Sequence, residues 1–304
     1  MKTIGLLGGM SWESTVSYYQ AINRGVNAAL GGLHSARLVL ASVDFAPIEA
    51  AQHRGDWDAT AQMLVESAQS VEAGGADFLL ICTNTMHKVA PQIEAALSIP
   101  LLHIADATAE VLQADGVRRV GLLGTRFTMA QDFYLGRLRD RFGMEVLVPD
   151  AAERDFVHTV IYDELCRGVV SEASRARYVE IIAGLQARGA EAVILGCTEI
   201  ALLVQVEHTA VPLYDTTAIH AAAAVRHALD RALFADQAQV GDEVLRYADL
   251  DPGEVGVQRI DEVVGLGRNH RARHRQHRAA TAARPIAAQS LQMRAVGRVI
   301  PFFG

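Results

Sequence analysis

The sequence is poor in lysine and cysteine, and it lacks any long apolar run. Of its 28 basic residues only Lys2 and Lys88 are lysine, and neither has a context that predicts a pyridoxal Schiff base. The three cysteines follow no zinc or redox spacing, which favours reduced thiols in a cytoplasmic protein. No apolar run approaches the roughly 18 residues of a membrane helix. Because Met1 to Thr3 lead directly into a strand pattern, we expect neither a signal peptide nor membrane contact.

Motifs for phosphate and metal ligands are also missing. There is no Walker loop, and the turn Gly8-Gly9-Met10-Ser11 lacks the spacing of a dinucleotide fingerprint. His87, His103 and His220 form no His-x-x-x-His pair, and His270, His274 and His277 are clustered in the arginine-rich tail, so we expect neither a metal nor a cofactor. Residues 263–304 contain eight arginines and no acidic residue, so the rest of the chain is more acidic than the formal total of −7. This acidic body argues against nucleic acid as a partner.

Short apolar runs alternate with longer amphipathic stretches, which is typical of parallel sheets flanked by helices. The predicted strands are Thr3–Leu7, Leu38–Val43, Phe78–Ile81, Leu101–Ile104, Val120–Leu123, Glu145–Leu147, Val193–Leu195 and Pro212–Tyr214. The predicted helices are Ser14–Leu30, Trp57–Ala73, Gln131–Phe142, Phe156–Arg167, Ser171–Arg188 and Ala218–Phe234. We therefore expect an α/β fold of two pseudo-symmetric Rossmann-like lobes, each with a parallel four-stranded sheet.

The pattern also predicts the domain organisation. One lobe comprises residues 1–115 together with a closing helix in 216–232, and the other comprises residues 116–215. Beyond these lobes the periodicity decays, and residues 233–304 are expected to form a poorly structured basic tail without a catalytic role.

The two predicted lobes repeat one pattern. Matched strands end at Gly8 and Gly124, and two further matched strands end at Cys82 and Cys197, each cysteine being followed by threonine. The spacing from glycine to cysteine is 74 residues in the first lobe and 73 in the second. Ligands gather beyond the carboxyl ends of parallel strands. Duplicated lobes that face each other would therefore bring two thiols to opposite sides of one cleft.

Two opposed thiols suit the inversion of an amino-acid α-carbon. One thiolate can remove the α-proton from one face while the other thiol delivers a proton to the opposite face. Cys166 is expected to be packing or pocket wall, and Arg54 a candidate cation. Glu199 could polarise Thr198, receive the substrate ammonium, or simply benefit from a helix dipole. The candidate substrate-binding residues are Met10, Ser11, Arg54, Thr83, Asn84, Thr85, Thr125, Cys166, Thr198 and Glu199.

The runs at these strand ends resemble the aspartate/glutamate racemase family. They are Cys-Thr-Asn-Thr at 82–85, Gly-Cys-Thr-Glu at 196–199 and Gly-Leu-Leu-Gly-Gly-Met-Ser-Trp-Glu at 5–13. The resemblance covers residues 1–232. Further runs, at 33–36, 103–108, 123–126 and 218–221, are most similar to the enterobacterial broad-specificity amino-acid racemases of that family.

The resemblance implies a cofactor-independent enzyme that acts on amino acids and forms a homodimer. It implies Cys82 and Cys197 as the acid/base pair, with the first-lobe cysteine on the D face and the second-lobe cysteine on the L face. The residues implied to hold the substrate carboxylate and amino groups are Thr83, Asn84, Thr85, Thr125 and Thr198.

One departure from the family bears on specificity. Aspartate-specific relatives place a lysine near the position of Cys166, where it pairs with the side-chain carboxylate of the substrate. A neutral thiol offers no such ion pair, so we expect a broad-specificity amino-acid racemase. The alternative is a strict aspartate or glutamate racemase that uses Arg54.

Other readings of the two strand-end thiols stay open. A related enzyme acting on a different α-acid, such as a decarboxylase or a maleate isomerase, would need the two thiols less uniformly. A small-molecule binding module would not need them, and a redox sensor would join Cys82 to Cys197 in a disulfide.

Overall fold

The computed structural model describes residues 1–229, which contain two parallel sheets. The first sheet consists of β1 (Ile4–Gly8), β2 (Leu38–Ser42) and β3 (Phe78–Ile81), in the order β2-β1-β3. The second consists of β4 (Arg119–Gly124), β5 (Glu145–Leu147), β6 (Ala192–Gly196) and β7 (Leu213–Asp215), in the order β5-β4-β6-β7. All pairings are parallel, so each sheet presents its carboxyl ends along one edge.

Eleven α-helices flank these sheets within the described residues. They are α1 (Trp12–Leu30), α2 (Phe45–His53), α3 (Trp57–Ala73), α4 (Ala90–Ala96), α5 (Ile104–Ala114), α6 (Arg126–Ala130), α7 (Asp132–Phe142), α8 (Ala151–Asp163), α9 (Glu172–Ala187), α10 (Ile200–Leu203) and α11 (Thr216–Ala228). Three 3₁₀ turns lie at Thr85–Val89, Leu165–Arg167 and Val206–His208. Among residues 1–229, no helix combines the length and the apolar character that a membrane crossing requires.

The α/β class is confirmed, but the first sheet has three strands rather than the predicted four. The expected strand Leu101–Ile104 is reduced to one parallel bridge between Leu79 and Leu101. The chain leaves the sheet early because α5 begins at Ile104, with His103 Nδ1 accepting a hydrogen bond from Ala105 N. The N-cap that starts α5 therefore ends the strand.

Five of the six predicted helices differ from the structure in their bounds, three of them by one or two residues at an end and the other two by more. The helix expected over Phe156–Arg167 begins at Ala151, where Asp150 and Glu153 form a capping box, and it ends at Asp163. The last helix begins at Thr216 rather than Ala218, and its predicted end at Phe234 lies outside the described residues, as does the tail 233–304. The helices α2, α4, α5, α6 and α10 were not anticipated.

The strands of the first sheet bury both of their faces. Leu79 and Ile81 point toward α2 and α3, whereas Phe78 and Leu80 point toward α1 and α11. The last helix, α11, packs along α1 and α5, so the end of the described chain returns to the first sheet. The second sheet has its own core, which includes Tyr134 and Tyr178. The predicted boundaries of the two lobes, at 115/116 and 215/216, stay a prediction.

The glycine turn after β1 allows α1 to start close to the sheet. Gly9 has a φ of 93°, and a Cβ built there would lie 2.3 Å from the carbonyl oxygen of Val43. Its N–H donates to Thr15 Oγ1 over 2.8 Å. Ser11, two residues later, caps α1 by accepting from Ser14 N. This turn fixes where Met10 and Ser11 lie relative to the strand ends.

Candidate active site

A small cavity lies where the carboxyl ends of the two sheets meet. Its lining residues are Met10, Phe45, Gln52, Thr83, Asn84, Thr85, Met86, Thr125, Ile161, Tyr162, Cys166, Gly196, Cys197 and Glu199. Its volume is about 20 Å³, on the order of one water molecule. Among the described residues that line it, Glu199 is the one with a charged side chain, and none is a lysine, an arginine or a histidine.

Glu199 is the centre of the polar network in this cavity. Its side chain is only 3% exposed, and its two carboxylate oxygens accept hydrogen bonds from four hydroxyl or thiol groups, of which the Cys166 thiol is the most distant. Ser11 Oγ donates to Oε1 over 2.6 Å, Thr198 Oγ1 donates to Oε2 over 2.6 Å, and Cys197 Sγ donates to Oε2 over 3.0 Å. Ser11 belongs to the first sheet's turn, so this network also links the two halves.

The environment of Cys197 keeps its sulfur protonated at rest. Burial raises the pKa of the Cys197 thiol, and the negative charge of Glu199 raises it further. The thiol nevertheless lines the cavity and is 8% exposed. The site therefore presents a thiol that already donates its proton toward a carboxylate.

Threonine and asparagine side chains bridge the two sheets on the other side of the cavity. Thr85 Oγ1 lies 2.9 Å from Thr125 Oγ1 and 3.4 Å from Thr128 Oγ1. Asn84 Nδ2 donates to Thr216 Oγ1 over 3.0 Å, whereas the enclosed Asn84 Oδ1 has no hydrogen-bond partner. These groups are suited to hold a small molecule that carries a carboxylate and an ammonium.

The pairing register of the sheets shows which strand ends correspond. In the first sheet, the pairing of β1 with β3 continues to place Gly8 level with Cys82, whose N–H donates to Leu7 O over 2.9 Å. In the second sheet, Gly124 pairs with Gly196. The counterpart of Cys82 is therefore a glycine, not the second strand-end cysteine.

Thr83, the residue after Cys82, and Cys197 both line the cavity. Cys82 is 0% exposed and packs with Phe78, Leu80 and Tyr18 on the α1 face of the sheet. Burial raises the pKa of the Cys82 thiol. Alternation along β3 turns the Cys82 side chain toward the α1 face, while its neighbour Thr83 lines the cavity. The expected pairing of the Cys82 and Cys197 thiols across the cleft stays a prediction.

The other expected site residues divide into two groups. The structure brings Met10, Asn84, Thr85, Thr125, Cys166 and Glu199 to the cavity, while Ser11 and Thr198 bond to Glu199 from beside it. Cys166 lies in the turn after α8, with its sulfur 3.9 Å from Glu199 Oε1. Arg54 is exposed at the C-terminal end of α2 and does not line the cavity. A side chain aimed at solvent provides no cation inside the site.

Sequence reasoning missed two polar residues of the lining, Gln52 and Tyr162. They belong to α2 and α8, and Gln52 Nε2 donates to Tyr162 Oη over 2.9 Å. A signal existed for Gln52, because it stands two residues before the candidate cation Arg54 in the run Gln52-His53-Arg54-Gly55. Choosing Gln52 over Arg54 required the knowledge that α2 ends at His53. Tyr162 also borders a second, outer pocket of about 320 Å³.

Three buried histidines form a separate cluster behind the first strand end. The rings of His87 and His103 lie 4.4 Å apart, and His220 lies 6.0 Å from His87. His87 Nδ1 bonds to Thr83 O over 2.8 Å, and His220 bonds to Tyr18 Oη and Leu102 O. Burial lowers the pKa of all three, to about 4 for His220 and about 2 for His103. In residues 1–229 no group of His, Cys, Asp and Glu side chains is arranged to hold a metal ion.

Comparison with known proteins adds to this geometry. The family model described as Asp/Glu/hydantoin racemase matches residues 7–224. A Yersinia pestis protein solved as a candidate Asp/Glu racemase is 54% identical, with a TM-score of 0.71, over 76% of this chain and 100% of that one. An aspartate racemase homologue from Pyrococcus horikoshii is 31% identical, with a TM-score of 0.66 and the same coverage of each chain.

A curated relative is similar over a shorter stretch. The broad specificity amino-acid racemase RacX of Bacillus subtilis is 32% identical over 95 residues. That match spans 31% of this chain and 41% of the relative's length.

Proposed function

Because the chain belongs to the Asp/Glu/hydantoin racemase family, we propose that it is a cofactor-independent amino-acid racemase of broad specificity. The observation that carries the proposal is the buried pair of Cys197 and Glu199, which lies in a cleft opposite hydroxyl donors. A family model that covers residues 7–224 supports the reaction type. The uncharged remainder of the lining supports a range wider than the acidic amino acids, because no cation awaits a side-chain carboxylate.

In the proposed first step, Glu199 accepts the proton of the Cys197 thiol. The pair changes from thiol and carboxylate to thiolate and carboxylic acid, so its total charge stays the same. This matters in a buried site, where a newly created charge would carry a large desolvation cost. The thiolate of Cys197 then removes the α-proton of the substrate on its own face.

On the opposite face we assign proton delivery to Cys82, the strand-end thiol that directly precedes Thr83 of the cavity lining. The Cys82 thiol gives its proton to the α-carbon and becomes a thiolate, and the proton held by Glu199 returns to it through solvent before the next turnover. Because Cys82 packs in the core when the cavity is closed, its side chain must turn toward the cleft when a substrate enters.

The remaining polar groups hold the substrate. The hydroxyls of Thr85 and Thr125 are donors for its carboxylate, and the unpartnered oxygen of Asn84 is an acceptor for its ammonium. Donors on the carboxylate also stabilise the negative charge that spreads onto it when the α-proton leaves. In a cavity that excludes water this stabilisation is stronger than in solution.

The test is proton exchange in D₂O without added cofactor. Single enantiomers of acidic and neutral amino acids are incubated with the protein, and the α-proton signal and chirality are followed by NMR and chiral chromatography. Inversion with deuterium uptake across several neutral substrates supports the proposal. Activity on aspartate or glutamate alone would favour a strict racemase, and no exchange with any amino acid would overturn the proposed function.

A further inference from the structure

Gln52 contributes an unsatisfied acceptor to the cavity wall. Its side chain is 1% exposed, and its amide N–H donates to Tyr162 Oη over 2.9 Å. Its amide oxygen is enclosed and has no hydrogen-bond partner. An enclosed carbonyl oxygen ordinarily has a donor, because leaving it unpaired is costly. A ligand that enters the cavity with a donor at this point would complete the arrangement.

Two such acceptors line the cavity within the described residues, and they lie on different elements. Asn84 follows Thr83 in the turn after β3 and is tied to Thr216. It therefore belongs with the groups at the reacting carbon. Gln52 lies on α2 and is tied to Tyr162 of α8, which also borders the outer pocket. Gln52, Tyr162 and Cys166 thus form one wall of the site, and the Cys166 thiol, 3.9 Å from Glu199 Oε1, joins this wall to the reacting pair.

This wall is polar but carries no charge. Cys166 and Tyr162 are both held in their neutral forms, because burial raises the pKa of each. A side-chain carboxylate placed here would meet no cation, and its charge would lie in the same cavity as the carboxylate of Glu199. An alkyl group would leave the amide oxygen of Gln52 unpaired. A neutral group with an N–H or O–H meets neither penalty.

We propose that the amide oxygen of Gln52 accepts a hydrogen bond from the end of the substrate side chain. The site would then prefer amino acids whose side chain ends in a neutral hydrogen-bond donor, a carboxamide or a hydroxyl. Tyr162 is a positioning residue, since its oxygen holds the amide N–H and so leaves the amide oxygen for the ligand. This inference rests on the proposed function and names the substrate class that the same site would favour.

The test uses L-asparagine, L-aspartate and L-leucine, whose side chains have nearly the same shape. For the intact protein we expect kcat/KM for asparagine to exceed that for each of the other two by about tenfold or more, the effect of one well-placed hydrogen bond. Gln52→Leu should lower kcat/KM for asparagine by a similar factor and leave leucine unchanged or improved. Gln62→Leu is the matched control, because Gln62 is exposed on α3, far from the lining.

Several results would overturn the proposal. An equal loss for all three amino acids in Gln52→Leu would mean that Gln52 binds a group common to every amino acid. A preference of the intact protein for aspartate would also contradict it. Tyr162→Phe supplies a second variant that does not depend on Gln52→Leu folding. It should reduce the preference for asparagine over leucine, and an unchanged preference would remove the positioning role of Tyr162.

Binding separates this proposal from the proposed function. Calorimetric titration of Cys197→Ser, a variant without the reacting thiol, measures affinity for the three amino acids regardless of turnover. Tighter binding of asparagine that is lost in the double variant with Gln52→Leu would support the specificity inference even if no α-proton exchange occurs. Equal affinity for all three would overturn it even if the protein is a racemase.

Discussion

The ends of β3 and β6 have similar sequences but place different side chains at the cleft. Both strands are followed by Cys-Thr, yet β6 extends one residue further before its cysteine. As a result Cys197 lines the cavity, whereas Cys82 faces the core and Thr83 takes the cleft position. A side chain's face is set by its place in the pairing register, and a shift of one residue reverses it. Identical residues in the two halves of a sequence repeat therefore do not by themselves show that their side chains lie on the same face of a sheet.

The largest expected effect breaks the comparison at its two cysteines. Cys197→Ser should lower kcat by roughly 10³-fold, because a hydroxyl is a far weaker acid than a thiol and provides little of the base. Cys82→Ala should lower kcat by a similar factor, because the proton donor on the opposite face of the substrate is lost. The measurement is α-proton exchange at equal folded concentration, verified by circular dichroism. A loss of less than about threefold in Cys82→Ala would mean that only core packing is altered and would overturn the pair of catalytic cysteines.

Thr83 is the hydroxyl that follows Cys82 in the cavity lining, as Thr198 follows Cys197 at the second strand end. We expect Thr83→Val to lower kcat/KM by about tenfold, because one hydrogen-bond donor to the substrate is lost while both thiols remain. The α-proton exchange of the two enantiomers is measured separately in D₂O. A loss as large as that in Cys197→Ser would mean that Thr83 takes part in proton transfer.

Glu199 distinguishes the second strand end from the first, where Asn84 follows the Cys-Thr pair. Glu199→Gln should lower kcat by about tenfold to 10²-fold, because the carboxylate that takes the thiol proton is gone. It should also move the pH profile of Cys197 alkylation to lower pH, since the negative charge of Glu199 raises the pKa of this thiol. Mass spectrometry of iodoacetamide-treated protein reports this profile, with Cys166→Ser present to remove the other cavity thiol. A shift to higher pH would be inconsistent with the Coulombic role of Glu199.

Changes in the histidine cluster behind β3 should have the smallest effect on turnover but a clear effect on stability. The core of the second sheet contains buried tyrosines instead. His103 and His220 have folded pKa values of about 2 and about 4, below the unfolded value near 6.5. Their stabilisation is complete above pH 6.5 and is lost as the pH falls toward the folded values, since the unfolded chain then binds more protons. At pH 5 the loss is about 2 kcal/mol for each such histidine.

Urea unfolding between pH 8 and pH 5 measures this loss. His103→Gln should flatten the decline of the unfolding free energy, and His34→Gln, a change at an exposed histidine, should leave it unaltered. A decline that is equally steep in His103→Gln would show that other groups dominate the acid response.

The sequence was sufficient for much of the fold because apolar periodicity dictates which segments form strands and helices. Trp57–Ala73 and Phe78–Ile81 were predicted with the bounds that the structure has. The short α2 and the early start of α5 were not foreseen, because such elements depend on caps at Asp44 and His103 and on packing against the sheet.

The site was foreseen only as far as position along the chain determines position in space. Glu199, Asn84 and Thr125 were expected and do meet in the cavity. Gln52 and Tyr162 were not expected, because α2 and α8 approach each other only through the arrangement of the two sheets. Long-range contacts of this kind leave no local pattern to read.

The cavity of about 20 Å³ also has a consequence for inhibitor design. An electrophile aimed at Cys197 must wait until hydrogen bonds such as those of Ser11 to Glu199 and of Thr85 to Thr125 break and the cleft opens. As the reagent concentration is raised, the inactivation rate should reach a plateau, and the plateau value should equal the rate constant for opening of the cleft. The rate of covalent labelling would then report how often the cleft opens, and a substrate that holds the cleft closed would slow the labelling.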